Sequence, residues 1–290
     1  MGRRLFGEIS PLTYRIASER MILLRHLRNV RDRGSISSTR SEESLPITVY
    51  RHNSLIRRRL GNVETELQDN KAVSLGLTAP KIDGILIAPG ERFSFWSLAG
   101  RCSAREGYRE GLTISNGRPT RGMGGGMCQF TNLLHWMVLH SPLTVVEHHH
   151  HNGLDLFPDY NRQIPWGTGT SIAFNYLDYQ VENRTDRTFQ FRTWTTDEYL
   201  GGELRVDREL PMKFHIREHD AYFYEEGADV FRHNRISRIE RDKRTGQVVS
   251  SALILENEGK VAYDRSLIRA EILPSRSPRR SEESADLPIA

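Results

Sequence analysis

With 290 residues, 37% of them hydrophobic and 27% charged, the chain has the size and balance of a globular protein with one large domain or two modest ones. No stretch approaches the roughly 18 uncharged apolar residues of a transmembrane helix. The opening residues also lack the unbroken apolar run of a secretory signal, so the expected compartment is the cytoplasm.

The net charge of +4 is unevenly placed. Residues 1–34 carry eight arginines against three acids, and Arg57-Arg58-Arg59 adds a second basic cluster. Leu5, Ile9, Leu12, Ile16, Leu23, Leu24 and Leu27 recur among the first arginines at roughly helical spacing. That spacing predicts two basic amphipathic helices over residues 3–33, broken near Pro11. Such helices ordinarily pack their apolar side and leave their arginines in water; peripheral contact with anionic lipid is the alternative. The sequence carries no zinc-finger, RRM or basic-zipper pattern, which argues against nucleic acid as a partner.

Residues 34–46 are too poor in apolar groups to fold alone. Order resumes over 47–60, and residues 62–77 read as a helix stopped by Pro80. Ile85-Leu86-Ile87 reads as a short strand, after which Phe93, Phe95 and Trp96 open another structured stretch. Glycines then crowd the chain from Gly107 to Gly126. An apolar helix is predicted over 128–139, a strand over 143–151, and a loop over 152–165. β-structure is predicted over 171–181 and 188–194, and antiparallel strands from 213 to 255. The pattern is that of an α+β protein without internal repeats. Its expected divisions are a basic helical region with a polar loop (1–46), a core (47–199), an antiparallel β-region (200–272) and a disordered tail (273–290).

The centre of interest is Gly124-Gly125-Gly126-Met127-Cys128-Gln129, which leads directly into the predicted apolar helix. A thiol at a helix N-terminus faces unpaired N–H groups and the positive end of the helix dipole, which lower its pKa below the free value of roughly 8.5. The three glycines would clear the approach to it, and Gln129 with local amides would supply oxyanion donors. Cys102, in a polar turn, has no comparable setting. Two lone cysteines are not a disulfide framework.

About twenty residues later comes Glu147-His148-His149-His150-His151. On a strand Glu147, His149 and His151 share one face, and His148 and His150 the other. One reading makes Cys128 a nucleophile, His149 or His151 its base, and Glu147 or Asp178 the orienting carboxylate. Asp155 and Asp159 are weaker choices for that carboxylate. A second reading makes Cys128, His149 and His151 three ligands of a zinc ion; otherwise no cofactor is expected. A third is non-catalytic ligand binding in a pocket of the glycine turns with Phe93, Phe95, Trp96 and Trp166. His135 lies about 10 Å along the helix from Cys128 and is read as structural, as is His140, placed where a helix C-terminus favours positive charge. The glycine run lacks the lysine and hydroxyl residue of a phosphate loop.

Several of these segments together resemble the VanW family. They are Ile87-Ala-Pro-Gly-Glu-Arg-Phe-Ser-Phe-Trp, Gly107-Tyr-Arg-Glu-Gly, the Gly124 to Gln129 motif, Asn132-Leu, Thr144-Val-Val-Glu-His-His-His-His and Phe174-Asn-Tyr-Leu-Asp. Ser10-Pro-Leu-Thr-Tyr and Phe231-Arg-His-Asn-Arg-Ile extend the likeness over residues 1–265. The resemblance implies a bacterial protein linked to the cell envelope or to glycopeptide resistance, without implying a reaction. Two departures stand out. Many members have Arg where this chain has His148, and an Asp-Ala-Thr element where Gly169-Thr170-Ser171 stands. The order of Cys on a helix start and His on a strand is also that of papain- and transglutaminase-like folds. The leading expectation is a thiol hydrolase or acyl/amide transferase acting on a peptide-like, peptidoglycan-precursor molecule.

Overall fold

The computed structural model describes residues 6–57, 65–115, 118–150, 153–159 and 163–276. Where two helices were expected over residues 3–33, the described residues hold a 3₁₀ turn at Phe6–Glu8 and a single long helix, α1 (Pro11–Arg31). Pro11 does divide the basic region, because it occupies the first helical position, where its missing N–H costs nothing. Ser10 closes a capping box with Thr13: Thr13 N–H donates to Ser10 Oγ, and Ser10 N–H to Thr13 Oγ1.

Next come β1 (Ile47–Leu55), α2 (Thr65–Ile82), β2 (Leu86–Ile87), β3 (Arg92–Ser94) and α3 (Phe95–Ala99). A hairpin, β4 (Glu110–Ser115) and β5 (Arg118–Met123), leads into α4 (Met127–Leu139), followed by β6 (Thr144–Glu147) and β7 (Gly153–Asp155). The chain continues with β8 (Gln180–Glu182), β9 (Phe189–Thr195), β10 (Tyr199–Val206), β11 (Met212–Glu226), β12 (Asp229–Asp242), β13 (Val248–Val261) and β14 (Ile272–Leu273).

An antiparallel sheet in the order β1-β10-β9-β2 carries α2 and α4. Helix α4 comes so close that a Cβ on Gly202 of β10 would lie 2.9 Å from Met137 Cε and 3.0 Å from Leu133 Cδ2. A three-stranded sheet, β3-β8-β6, lies beside it, and both enclose a core of Phe93, Phe95, Phe130, Tyr179, Phe189 and Phe191, all fully buried. The fold is therefore α+β, with a β-rich C-terminal region of long meander strands in the order β14-β11-β12-β13-β7. Strand β10 straddles the expected 199/200 division and pairs with β1 and β9.

Three further local expectations fail here. Helix α2 runs through Pro80 to Ile82, because Ala79 and Ile82 are buried and Arg40 caps the end by donating to the carbonyls of Pro80 and Lys81. Burial outweighs the one ladder bond that Pro80 removes. Residues 171–179 form a turn bridged from Ala173 to Leu177, with Asn175 left-handed at φ 58°, and only Gln180–Glu182 is strand. The expected loop after Asn152 contains β7, which pairs in parallel with β13. Residues 277–290, most of the expected tail, lie outside the described residues.

Candidate functional site

Cys128 stands in the first turn of α4, after the N-cap residue Gly126. The glycines before it serve packing, which corrects the expectation of an open approach. A Cβ on Gly125 would lie 2.4 Å from Gly111 Cα, and one on Gly124 2.7 Å from Cys102 Cβ. Gly124 and Gly126 have φ of 75° and 104°, a region glycine enters freely. The first turn is also covered. Asn132, one helical turn beyond Cys128, accepts from Thr170 N–H at 2.6 Å and from Thr170 Oγ1 at 2.9 Å. The Cys128 carbonyl oxygen, 3.3 Å from Thr170 Oγ1, competes with Asn132 for that single hydroxyl hydrogen, and Thr170 Oγ1 also contacts Thr131 Oγ1.

Burial pushes the Cys128 thiol up, and the N–H groups of Ile172 and of Cys128 itself, which favour the thiolate, do not offset it. The expected depression is thus reversed, because desolvation of the sulfur outweighs the dipole. Cys102 is pushed up to about 11, also by burial. Among the described residues no imidazole is hydrogen-bonded to Cys128. Gln129 is not an oxyanion donor either: its amide braces β1, donating to Ser54 Oγ at 2.9 Å and to Leu55 O at 2.8 Å.

The histidine segment sorts by face as its alternation predicts, although strand β6 ends at Glu147. On one side, Glu147 and His149 meet: His149 Nε2 donates to Glu147 Oε1 at 3.0 Å. Glu147 also receives both terminal nitrogens of Arg25 from α1, at 2.6 Å each, and Asp178 N–H at 2.9 Å. Burial pushes the Glu147 carboxyl up, but these donors outweigh it and hold it below the usual range. Arg25 is the partner sequence reasoning missed; nothing in the spacing joins residues 122 apart.

On the other side His148 stacks on His135 at 4.1 Å and meets His150 at 4.0 Å between ring centres. His148 Nε2 donates to Gly169 O at 3.2 Å, and His135 Nδ1 lies 3.2 Å from Tyr179 Oη. Burial pushes all three imidazoles down, His148 to about 4, with mutual repulsion adding to it, so the stack is neutral at neutral pH. Burial likewise takes His140 down to about 4, so desolvation outweighs the favourable field at the end of α4. His151 lies outside the described residues.

Asp178 is a structural carboxylate rather than a third catalytic member. It accepts from Ser94 Oγ, Trp96 N–H, Tyr179 N–H and Gln180 Nε2, and its side chain is fully buried. Burial raises its pKa first of all, and Ser94 and Gln180 act against that rise. Asp155 and Asp159 are taken up by Arg232. Trp96 donates its indole N–H to Leu177 O inside the core, whereas Trp166 lies under Arg232 and beside Gly259 of the C-terminal sheet. The two indoles do not share a pocket. As for zinc, no group of three or more His, Cys, Asp or Glu residues is placed to hold a metal among the described residues.

These elements define a class: an α+β protein centred on a glycine-packed Cys-helix, bound through a threonine-asparagine clasp to the loop beneath a histidine segment. The chain belongs to the VanW family. The family described as "VanW like protein" matches residues 70–205. The vancomycin B-type resistance protein VanW of Enterococcus faecalis is 30% identical over 227 residues, covering 78% of this chain and 82% of that protein. The uncharacterized protein YoaR of Bacillus subtilis is 25% identical over 126 residues, 42% of this chain and 39% of its own length. No solved structure is significantly similar.

Proposed function

We propose that this chain contributes to glycopeptide resistance or related cell-envelope biology as a non-covalent binder of a peptide-like, peptidoglycan-precursor molecule. The observation that carries this reading is the Arg25–Glu147–His149 chain. An imidazole oriented by a clamped carboxylate, about a third exposed, offers a polar contact at a fixed place. The neutral imidazoles of His148 and His150 stand beside it as hydrogen-bonding groups without charge. A covalent mechanism through Cys128 is the second reading. The oriented His149 favours it, and the raised thiol pKa weighs against it.

Titration calorimetry with a peptidoglycan stem peptide separates the two. Binding that survives Cys128→Ser and falls about tenfold in His149→Ala supports the binder. Turnover of the peptide that Cys128→Ser abolishes supports the second reading. No heat with the wild-type chain sinks the first.

A further inference from the structure

Helix α1 is inside out. Its polar side chains face the body of the protein: Arg25 on Glu147, Asn29 Nδ2 at 3.2 Å from Ser97 Oγ and 3.4 Å from Asn175 Oδ1, and Tyr14 Oη at 3.4 Å from Tyr176 Oη. On the far side, Leu12, Ile16, Leu23, Leu27 and Val30 are 67%, 50%, 59%, 60% and 72% exposed. Their spacing of four, seven, four and three residues places them within an arc of about 60°. Twenty-one residues give a stripe about 30 Å long. Exposed apolar residues scattered singly need no explanation, but a continuous stripe marks a binding surface.

The charges beside the stripe choose its occupant. Arg15, Arg20, Arg28, Arg31 and Arg33 are exposed around it, whereas the acids of the same stretch are engaged: Glu19 with Arg101, and Asp32 with Arg31 and Arg92. A second copy docking stripe to stripe would bring arginines against arginines. An anionic bilayer surface offers hydrocarbon for the leucines and phosphates for the guanidinium groups at the same depth. We infer that α1 lies flat on an anionic lipid surface, with Leu12, Ile16, Leu23, Leu27 and Val30 inserted and the arginines at the headgroups. Because Arg25 grips Glu147, the helix brings the His149 site to that surface. The inference rests on the exposed face of α1 and stands whether or not that site binds a peptide.

Co-sedimentation of the full chain with phosphatidylglycerol–phosphatidylcholine vesicles tests it. The wild type should pellet with these vesicles and release in high salt, and should stay in solution with phosphatidylcholine alone. Binding should fall at least about tenfold in a Leu23→Glu/Leu27→Glu variant and in an Arg20→Glu/Arg28→Glu variant. A wild type that ignores anionic vesicles at low salt, or that binds both vesicle types alike, overturns the proposal without recourse to any variant. So does unchanged binding in the leucine variant. A wild-type dimer that the leucine variant splits would assign the stripe to a second copy instead.

Discussion

Helices α1 and α4 treat their leucines in opposite ways. In α4, Leu133, Leu134, Met137 and Val138 are buried against the sheet, so the helix exists because of its packing. In α1 the leucines face outward, and polar bonds hold the helix to the body. The same periodicity in the sequence therefore serves two ends. Which one applies depends on what lies on the other side of the helix, and no window of sequence contains that.

The comparison breaks first at α4. Leu134→Ala should cost about 4 kcal/mol, since it empties a fully buried site, and chemical denaturation measures the loss. A loss under 1 kcal/mol would mean that α4 is not the packed helix described. Gly125→Ala should cost about 3 kcal/mol, because the new methyl meets Gly111 Cα at 2.4 Å and backbone must move. An unchanged melting temperature would return the glycines to an open approach.

Next comes the clamp between α1 and the body. Arg25→Ala removes both bidentate bonds from a carboxylate that is largely shielded, and should destabilise the fold by about 2 kcal/mol. It should also loosen α1, seen as faster amide exchange over residues 12–30 than over α4. Equal exchange in both helices would refute the idea that the Arg25 clamp is a principal tie of α1 to the body, beside the ring contact of His26 with Phe174.

The packed end of α4 has a pH signature. His140 is held neutral, its pKa pushed by burial from an ordinary 6.5 to about 4. Below pH 6.5 the unfolded chain binds the proton and the folded chain does not, so stability falls as pH drops toward 4. At pH 5 the deficit from this residue is about 2 kcal/mol, from 1.36 kcal/mol per unit. His140→Gln should make the fall in denaturation midpoints between pH 7 and 5 less steep by that share, the buried His135 and His148 keeping theirs, and an equally steep profile would contradict the assignment. Least of all, Leu23→Ser on α1 should change stability by under about 0.5 kcal/mol. A larger loss would show that the stripe is already covered in solution.

Much of the frame was legible beforehand. The cysteine helix, the meander strands and the sorting of Glu147 with His149 all follow from periodicity, which reports what a residue does for its own element. What escaped was long-range. Arg25 reaches Glu147 from 122 positions away, and two of the four donors to the Asp178 carboxylate, Ser94 and Trp96, are 84 and 82 positions away. The Cys128 thiol was misread for the same reason. Its helix position was right, but the loop that closes over it comes from Thr170 to Ile172, and burial by a distant segment reverses what a local dipole argues. Asn132 did leave a signal, since its spacing of four from Cys128 puts both on one helix face.

Cys128 is a half-buried thiol whose pKa is raised, and it has no hydrogen bond to the His149 imidazole. Iodoacetamide labelling of the native chain across pH, with each cysteine followed by mass spectrometry, tests it most directly. Cys128 should label slowly at neutral pH, with an apparent pKa above that of a free thiol and no change in His149→Ala. Fast labelling at neutral pH, with a depressed pKa that returns to normal in His149→Ala, would contradict it.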